Sequence, residues 1–100
     1  MDKVATEPRA VTKVSEVIAS LISKSGKTRK EIASEAGLGK PNMISMIKSG
    51  ETKLPLAKSG LFARAVHADP VELFKLCLTE YYPDVWMAIQ EYFESALTPD

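Results

Sequence analysis

The sequence predicts an all-α protein, and two kinds of observation support that fold class. Apolar residues recur three and four positions apart along most of the chain, which is the period of an amphipathic helix. Residues that typically begin and end helices stand at the edges of those apolar runs. No segment combines strict alternation with β-branched residues and hairpin turns, as a strand would. With 100 residues, 45% of them hydrophobic, the chain has the size and composition of one domain around one core.

The first helix is predicted over residues 9–24, and Gly26 follows as its stop. Residues 1–8, which end at Pro8, are predicted to form a flexible arm. The apolar residues of this helix fall on one stripe, which should face the core: Val11, Val14, Ile18, Leu21 and Ile22.

The second helix is short and has a strong start signal at Thr28. Three residues later stands Glu31, so the Thr28 hydroxyl can accept from the Glu31 amide while the Glu31 carboxylate reaches back. Gly37 is placed where a left-handed residue would end the helix and let the chain turn sharply. The predicted apolar face consists of Ile32, Ala33 and Ala36.

A third helix is predicted almost at once, with Gly39 as an acceptable cap and Pro41 in the first turn, where a missing amide hydrogen costs little. Gly50 marks its end. The connection to the second helix is short enough to require a tight helix pair. The apolar residues at helical spacing are Met43, Met46 and Ile47.

Three more helices are predicted in the rest of the chain. Pro55 should open the fourth, whose apolar residues are Leu61, Phe62, Ala65 and Val66. Asp69 and Pro70 give the fifth an N-cap and a first-position proline, before Leu73, Phe74, Cys77 and Leu78. Pro83 then separates a last helix over residues 84–97. The predicted divisions are an arm at 1–8, a domain at 9–80 and a C-terminal helix region at 81–100.

Charge is unevenly distributed along a chain whose formal net charge is zero. Residues 1–60 contain eleven Lys and Arg against six Asp and Glu, whereas residues 61–100 contain two against seven. Because screening limits exposed charges to about 8 Å at physiological salt, a polyanion would respond mainly to the local basic half. The distribution is compatible with a nucleic-acid partner and equally with an ordinary solvated surface.

Metal, redox and membrane functions find little support in the composition. The single cysteine, Cys77, allows no internal disulfide, and the single histidine, His67, allows no zinc cluster, so we expect no metal and no cofactor. Cys77 is expected in the core and His67 at the end of the fourth helix, and with no glycine-rich phosphate loop we expect no enzyme. No apolar run could span a membrane and residues 1–4 lack a secretion signal, which predicts a cytoplasmic protein.

Residues 29–47, RKEIASEAGLGKPNMISMI, resemble the helix-turn-helix of the Cro and phage-repressor family, also called the XRE type. In that pattern Ala33 is small where the two helices cross and Gly37 makes the turn. Leu38, Met43 and Met46 fill the wedge between the helices. The resemblance covers about residues 11–78, because KSG at 48–50, LP at 54–55 and AVHADP at 65–70 continue it. It implies a compact five-helix, repressor-like helix-turn-helix domain, to which the last helix is an addition.

The resemblance also implies that the third helix, residues 40–48, lies in the major groove of double-stranded DNA. Lysine can donate to guanine, asparagine can pair with adenine, and proline or isoleucine can touch a thymine methyl group. The residues implied as base-reading are Lys40, Pro41, Asn42, Ile44 and Ser45. Those implied as phosphate-binding flank the second and third helices and are Lys27, Thr28, Arg29, Lys30, Lys48, Thr52 and Lys53.

The function implied is that of a sequence-specific transcriptional regulator, a repressor that binds an inverted repeat as a homodimer. The last helix could cap the core or form a dimer or partner surface through Trp86, Ile89, Tyr92 and Phe93. Two alternatives stay open. An antitoxin would repress its own operon and hold a toxin with the C-terminal helix, and a protein-interaction module would use the same fold without DNA.

Overall fold

Six α-helices follow one another along residues 13–97, which are the residues that the computed structural model describes, with side chains described for 13–93. They contain no strand, so the all-α prediction is confirmed for this part of the chain. The predicted arm at 1–8 and the predicted start of the first helix at residue 9 lie outside the described residues. The helices are α1 (Lys13–Ser25), α2 (Arg29–Ala36), α3 (Pro41–Ser49), α4 (Ser59–Ala65), α5 (Pro70–Tyr81) and α6 (Pro83–Leu97).

The predicted helix ends are confirmed at three places. The Thr28 hydroxyl accepts from the Glu31 amide at 3.1 Å, and the Glu31 carboxylate accepts from the Thr28 amide at 2.8 Å. Gly37 ends α2 with a left-handed φ of 70°. The Asp69 carboxylate accepts from the Val71 amide at 2.9 Å and begins α5. Each signal joins residues only a few positions apart, so it can be recognised in the sequence without knowledge of the remaining fold.

The start of α3 differs from the prediction by one residue, because Lys40 and not Gly39 is its N-cap. Lys40 has the extended backbone that a residue before proline prefers, with φ −107° and ψ 144°, so the helix can begin only at Pro41. Gly39 has a left-handed φ of 84° and belongs to the turn between α2 and α3.

The fourth helix also begins later than predicted. Pro55 is followed by a 3₁₀ turn at Leu56–Lys58, and α4 starts at Ser59. The Ser59 hydroxyl donates to the Leu56 carbonyl at 2.8 Å, which closes this turn. The C-terminal end of α4 agrees with the prediction, since His67 takes a left-handed φ of 62° just after this helix.

The core lies between α1, α2, α3, α4 and α5, with the fully buried Phe62 among its largest side chains. At its edge the Val14 amide of α1 donates to the Glu80 carboxylate of α5 at 3.1 Å. Leu61 and Phe74, predicted on core faces, are instead exposed. The buried apolar residues are Val14, Ile18, Ile22, Ile32, Ala33, Ala36, Ile44, Ile47, Leu54, Phe62, Ala63, Ala65, Val66, Leu73, Cys77 and Leu78.

The last helix, α6, packs against α5, and none of its described side chains is buried. Its backbone departs from helical geometry at Phe93, where φ is −125° and ψ is 22°. Among the described helices, none combines the length and the apolar character that crossing a bilayer requires.

Candidate functional site

The orientation of α3 is fixed by two isoleucines. Ile44 and Ile47 are 0% and 1% exposed, so the side of the helix that carries them faces the core. Residues spaced by three, four and seven positions on the opposite side share a second face, which points outward. We call this face the outer stripe, and it consists of Asn42, Ser45, Met46 and Ser49.

Ile44 was predicted to contact a base, and this prediction is wrong because a fully buried side chain cannot reach another molecule. Met46, predicted inside the wedge between α2 and α3, lies on the outer stripe and is half-buried. A rotation of α3 that buried Met46 would carry its neighbours Asn42 and Ser49 toward the apolar core. Burying polar groups without partners costs free energy, so this rotation is disfavoured. The wedge is filled instead by Ile44 and Ile47, with Leu38 and Met43 partly buried beside them.

The outer stripe is joined to the start of α2 by a side-chain hydrogen bond. The Arg29 guanidinium donates to the Ser45 hydroxyl. Arg29 was predicted to bind phosphate and Ser45 to read a base, and the structure brings the two together. Within the stripe, the Asn42 amide nitrogen donates to the Met46 thioether sulfur at 3.5 Å. These contacts place a guanidinium, an amide, a hydroxyl and a thioether next to one another.

Basic residues surround the outer stripe, and they differ in whether a carboxylate of the same chain already pairs with them. Lys30, Lys40 and Lys48 are exposed, as is Pro41 at the start of α3. The ammonium of Lys27 lies 2.6 Å from a carboxylate oxygen of Glu35, so a phosphate would have to displace that partner. The Thr28 hydroxyl accepts one hydrogen bond in the α2 cap, and its hydrogen can still be donated to a phosphate oxygen.

The loop after α3 is held by two tyrosines at the end of α5. The ammonium of Lys53 lies 5.0 Å from the Tyr82 ring centre and 5.6 Å from that of Tyr81, within the range of cation–π attraction. The Tyr81 hydroxyl accepts from the amide of the buried Leu54 at 3.0 Å. Desolvation of the phenol is the main reason why the pKa of Tyr81 is raised above its usual value. Thr52, predicted to bind phosphate, is half-buried in the same loop.

The C-terminal helix presents the apolar face that the sequence predicted. Trp86 and Ile89 are half-buried, while Tyr92 and Phe93 are 71% and 56% exposed. Val85 is also exposed, and it shares this face by helical spacing with Ile89 and Tyr92. The acidic residues Asp84 and Glu91 fall by the same spacing on the opposite side of α6.

Two residues of the outer stripe, Met46 and Ser49, were not among the site residues predicted from the sequence. The signal in the sequence that could have placed them on the outer face is the pair Ile44 and Ile47. Their spacing of three is as typical of a core-facing side as the spacing of Met43 and Met46.

The groups that could perform covalent or metal chemistry are sparse in the part of the chain that the structure describes. There, no three His, Cys, Asp or Glu side chains come together in a way that could hold a metal ion. Cys77 is buried, and desolvation together with the nearby Glu80 raises its pKa to about 11. At neutral pH its sulfur is therefore a thiol and a poor nucleophile.

Comparison with protein-family models, with curated proteins and with solved structures gives no match for this chain.

Proposed function

We propose that this protein is a sequence-specific regulator that binds double-stranded DNA with α3 in the major groove. In this proposal α2, the turn and α3 form a helix-turn-helix of the Cro and phage-repressor kind, and α1–α5 form the repressor-like domain. The observation that carries the proposal is the outer stripe, which has amide, hydroxyl and thioether groups and no acidic residue, with the Arg29 guanidinium bound to it. Groups of these types read base edges in the major groove.

The dimensions of α3 suit that groove. Its nine residues span about 14 Å at 1.5 Å per residue, and a helix with side chains is about 10–12 Å wide. The major groove of B-DNA is about 12 Å wide, so the outer stripe can face the base edges along one helical segment. Asn42 can pair with adenine, Ser45 can donate or accept, and Lys40 can reach guanine from the start of the helix.

Phosphate binding is proposed for the exposed cations beside the stripe. Lys30 lies in the first turn of α2, where backbone amides and the helix dipole also favour an anion. Lys48 lies in the last turn of α3, and Lys53 follows in the loop held by the tyrosines. Each phosphate neutralised should contribute about 0.9 to the slope of log affinity against log salt concentration. Lys27 should contribute least because Glu35 already neutralises it.

The regulator is proposed to act as a cytoplasmic repressor, as a homodimer on an inverted repeat. Two copies related by a two-fold axis present their recognition helices to half-sites about 34 Å apart, which is one turn of DNA. The exposed apolar face of α6 is the surface proposed to join the copies, because Asp84 and Glu91 fall on the opposite side. The dimer should be visible by light scattering, and Tyr92→Asp should convert it to a monomer.

The test of the proposed function is selection of duplexes from a random pool by the purified protein, followed by affinity measurements across salt concentration. Enrichment of an inverted repeat would support the proposal. Asn42→Ala should then relax the preference at one base position, whereas Lys48→Ala should weaken binding to all duplexes alike and reduce the salt slope by about 1. Absence of enrichment at low salt would overturn it.

A second candidate function is favoured by the same α6 surface. Large exposed apolar side chains on one helix face typically mark a protein-interaction site. The alternative is that α6 holds a different protein, as in an antitoxin that also regulates its own operon, or in an interaction module without DNA. A monomer that binds an inverted repeat only together with a co-purified partner would favour the antitoxin, and a partner without DNA binding would favour the module.

A further inference from the structure

Met46 is the one apolar side chain of the outer stripe, and the structure gives it no place in the core. Its side chain is half-buried and does not belong to the partly buried apolar residues that pack against the core cluster within the described part of the chain. Its three stripe neighbours, Asn42, Ser45 and Ser49, are all polar. An apolar group kept on a polar face is free to contact another molecule.

The side chain of Met46 is nevertheless held in position. The Asn42 amide nitrogen, one helical turn earlier, donates to the Met46 sulfur at 3.5 Å. The two side chains therefore lie side by side. A partner that meets the Asn42 amide also meets the Met46 thioether.

The structural role of residue 46 belongs to its main chain. The Met46 carbonyl accepts from the Glu51 amide at 2.9 Å and from the Thr52 amide at 3.3 Å, which fastens the end of α3 to the following loop. These bonds do not involve the thioether. Substituting the side chain should therefore leave the helix end intact, and its contribution can be measured separately from folding.

We propose that Met46 is a specificity-determining residue that contacts the C5-methyl group of a thymine beside the base read by Asn42. This inference rests on the proposed function. The thymine methyl is the apolar group that base edges present in the major groove, where the other groups are hydrogen-bond donors and acceptors. A flexible, polarizable thioether packs well against such a group, while the polar neighbours of Met46 pair with the donors and acceptors.

The experiment uses the full chain and the duplex enriched by selection. Each thymine in one half-site is replaced in turn by deoxyuridine, which removes the methyl group and keeps the base pairing. At one position the wild-type protein should lose roughly fourfold in affinity, the loss that removal of one buried methyl group corresponds to. Met46→Ala should bind the thymine and deoxyuridine duplexes equally at that position. Met46→Leu, which keeps an apolar side chain of similar volume, should retain the preference.

Ser49→Ala is the matched control, because it changes the neighbouring residue of the same stripe and should keep the fourfold ratio. Met46→Gln gives a second test that does not shorten the side chain, and it too should abolish the ratio. Wild-type protein insensitive to every deoxyuridine, or a ratio that persists in Met46→Ala and Met46→Gln, overturns the inference while DNA binding stands. Failure to enrich any duplex would instead overturn the proposed function.

Discussion

Replacing Ile44 by alanine tests which side of α3 faces the core. The side chain is 0% exposed and belongs to the core cluster, so its removal loses transfer free energy and leaves a cavity. Substitutions of this kind cost about 2–5 kcal/mol, a large part of the roughly 5–15 kcal/mol by which small domains are stable. At about 4–8 °C for each kcal/mol in a domain of this size, the melting temperature should fall by at least roughly 8 °C.

The assay is urea and thermal unfolding followed by circular dichroism. The urea midpoint should move to lower concentration with an unchanged slope, as expected when only native stability changes. Ile44→Val should give a smaller loss of about 0.5–1.5 kcal/mol, because one methylene is removed. Ser49→Ala, on the exposed side of the same helix, should stay within about 0.5 kcal/mol of wild type.

The reasoning would be refuted by an Ile44→Ala protein of wild-type stability that has lost its preference among duplexes. That result would mean that Ile44 faces outward, as the resemblance implied, and that the outer stripe is misplaced. A protein that is destabilised but keeps its preference below its melting temperature supports the orientation described here.

Three further predictions concern stability and reactivity. Gly37→Ala should destabilise the protein by about 1 kcal/mol, because the left-handed φ of 70° is strained for a residue with a Cβ. Gly60→Ala should stabilise it by up to about 1 kcal/mol, because residue 60 lies in α4 with open space around it. Melting temperatures in the reverse order would contradict both expectations. Tyr81→Phe should cost about 1–3 kcal/mol in urea unfolding, because the amide of the buried Leu54 loses its acceptor, and an unchanged midpoint would disprove this role. Burial raises the pKa of Cys77 from 9.0 to about 11, so the contribution of the protonated thiol to the free energy of unfolding is fully present below pH 9 and is lost as the pH rises from 9 to 11, by about 3 kcal/mol at most. Cys77→Ala should lack this part of the decrease in stability at alkaline pH. A wild-type urea midpoint that rose with pH in that range would contradict the expected sign.

The sequence alone determined the features whose causes are local. The capping box of Thr28 and Glu31, the proline start after Asp69 and the left-handed Gly37 each depend on residues a few positions apart. Their hydrogen bonds close within one helical turn, so the residues that make them can be identified from a short stretch of sequence. The all-α class and the tight connection between the second and third helices follow from such signals.

The sequence could also indicate which residues near α3 are polar or basic, and Lys40, Asn42 and Ser45 do lie at accessible positions of that helix. Accessibility of these residues was predictable because polar side chains rarely find partners in a small apolar core. Their base contacts remain part of the proposal.

Only the tertiary structure decided how α3 is rotated and which contacts cross between elements. Helical periodicity permits a core face through Met43 and Met46 as readily as one through Ile44 and Ile47, and packing against the other helices selects the second. The Arg29 contact with Ser45 joins residues 16 positions apart, and the Tyr81 contact with Leu54 joins residues 27 apart. Such contacts depend on where the helices meet, and that position is set by the whole core and not by the neighbouring sequence.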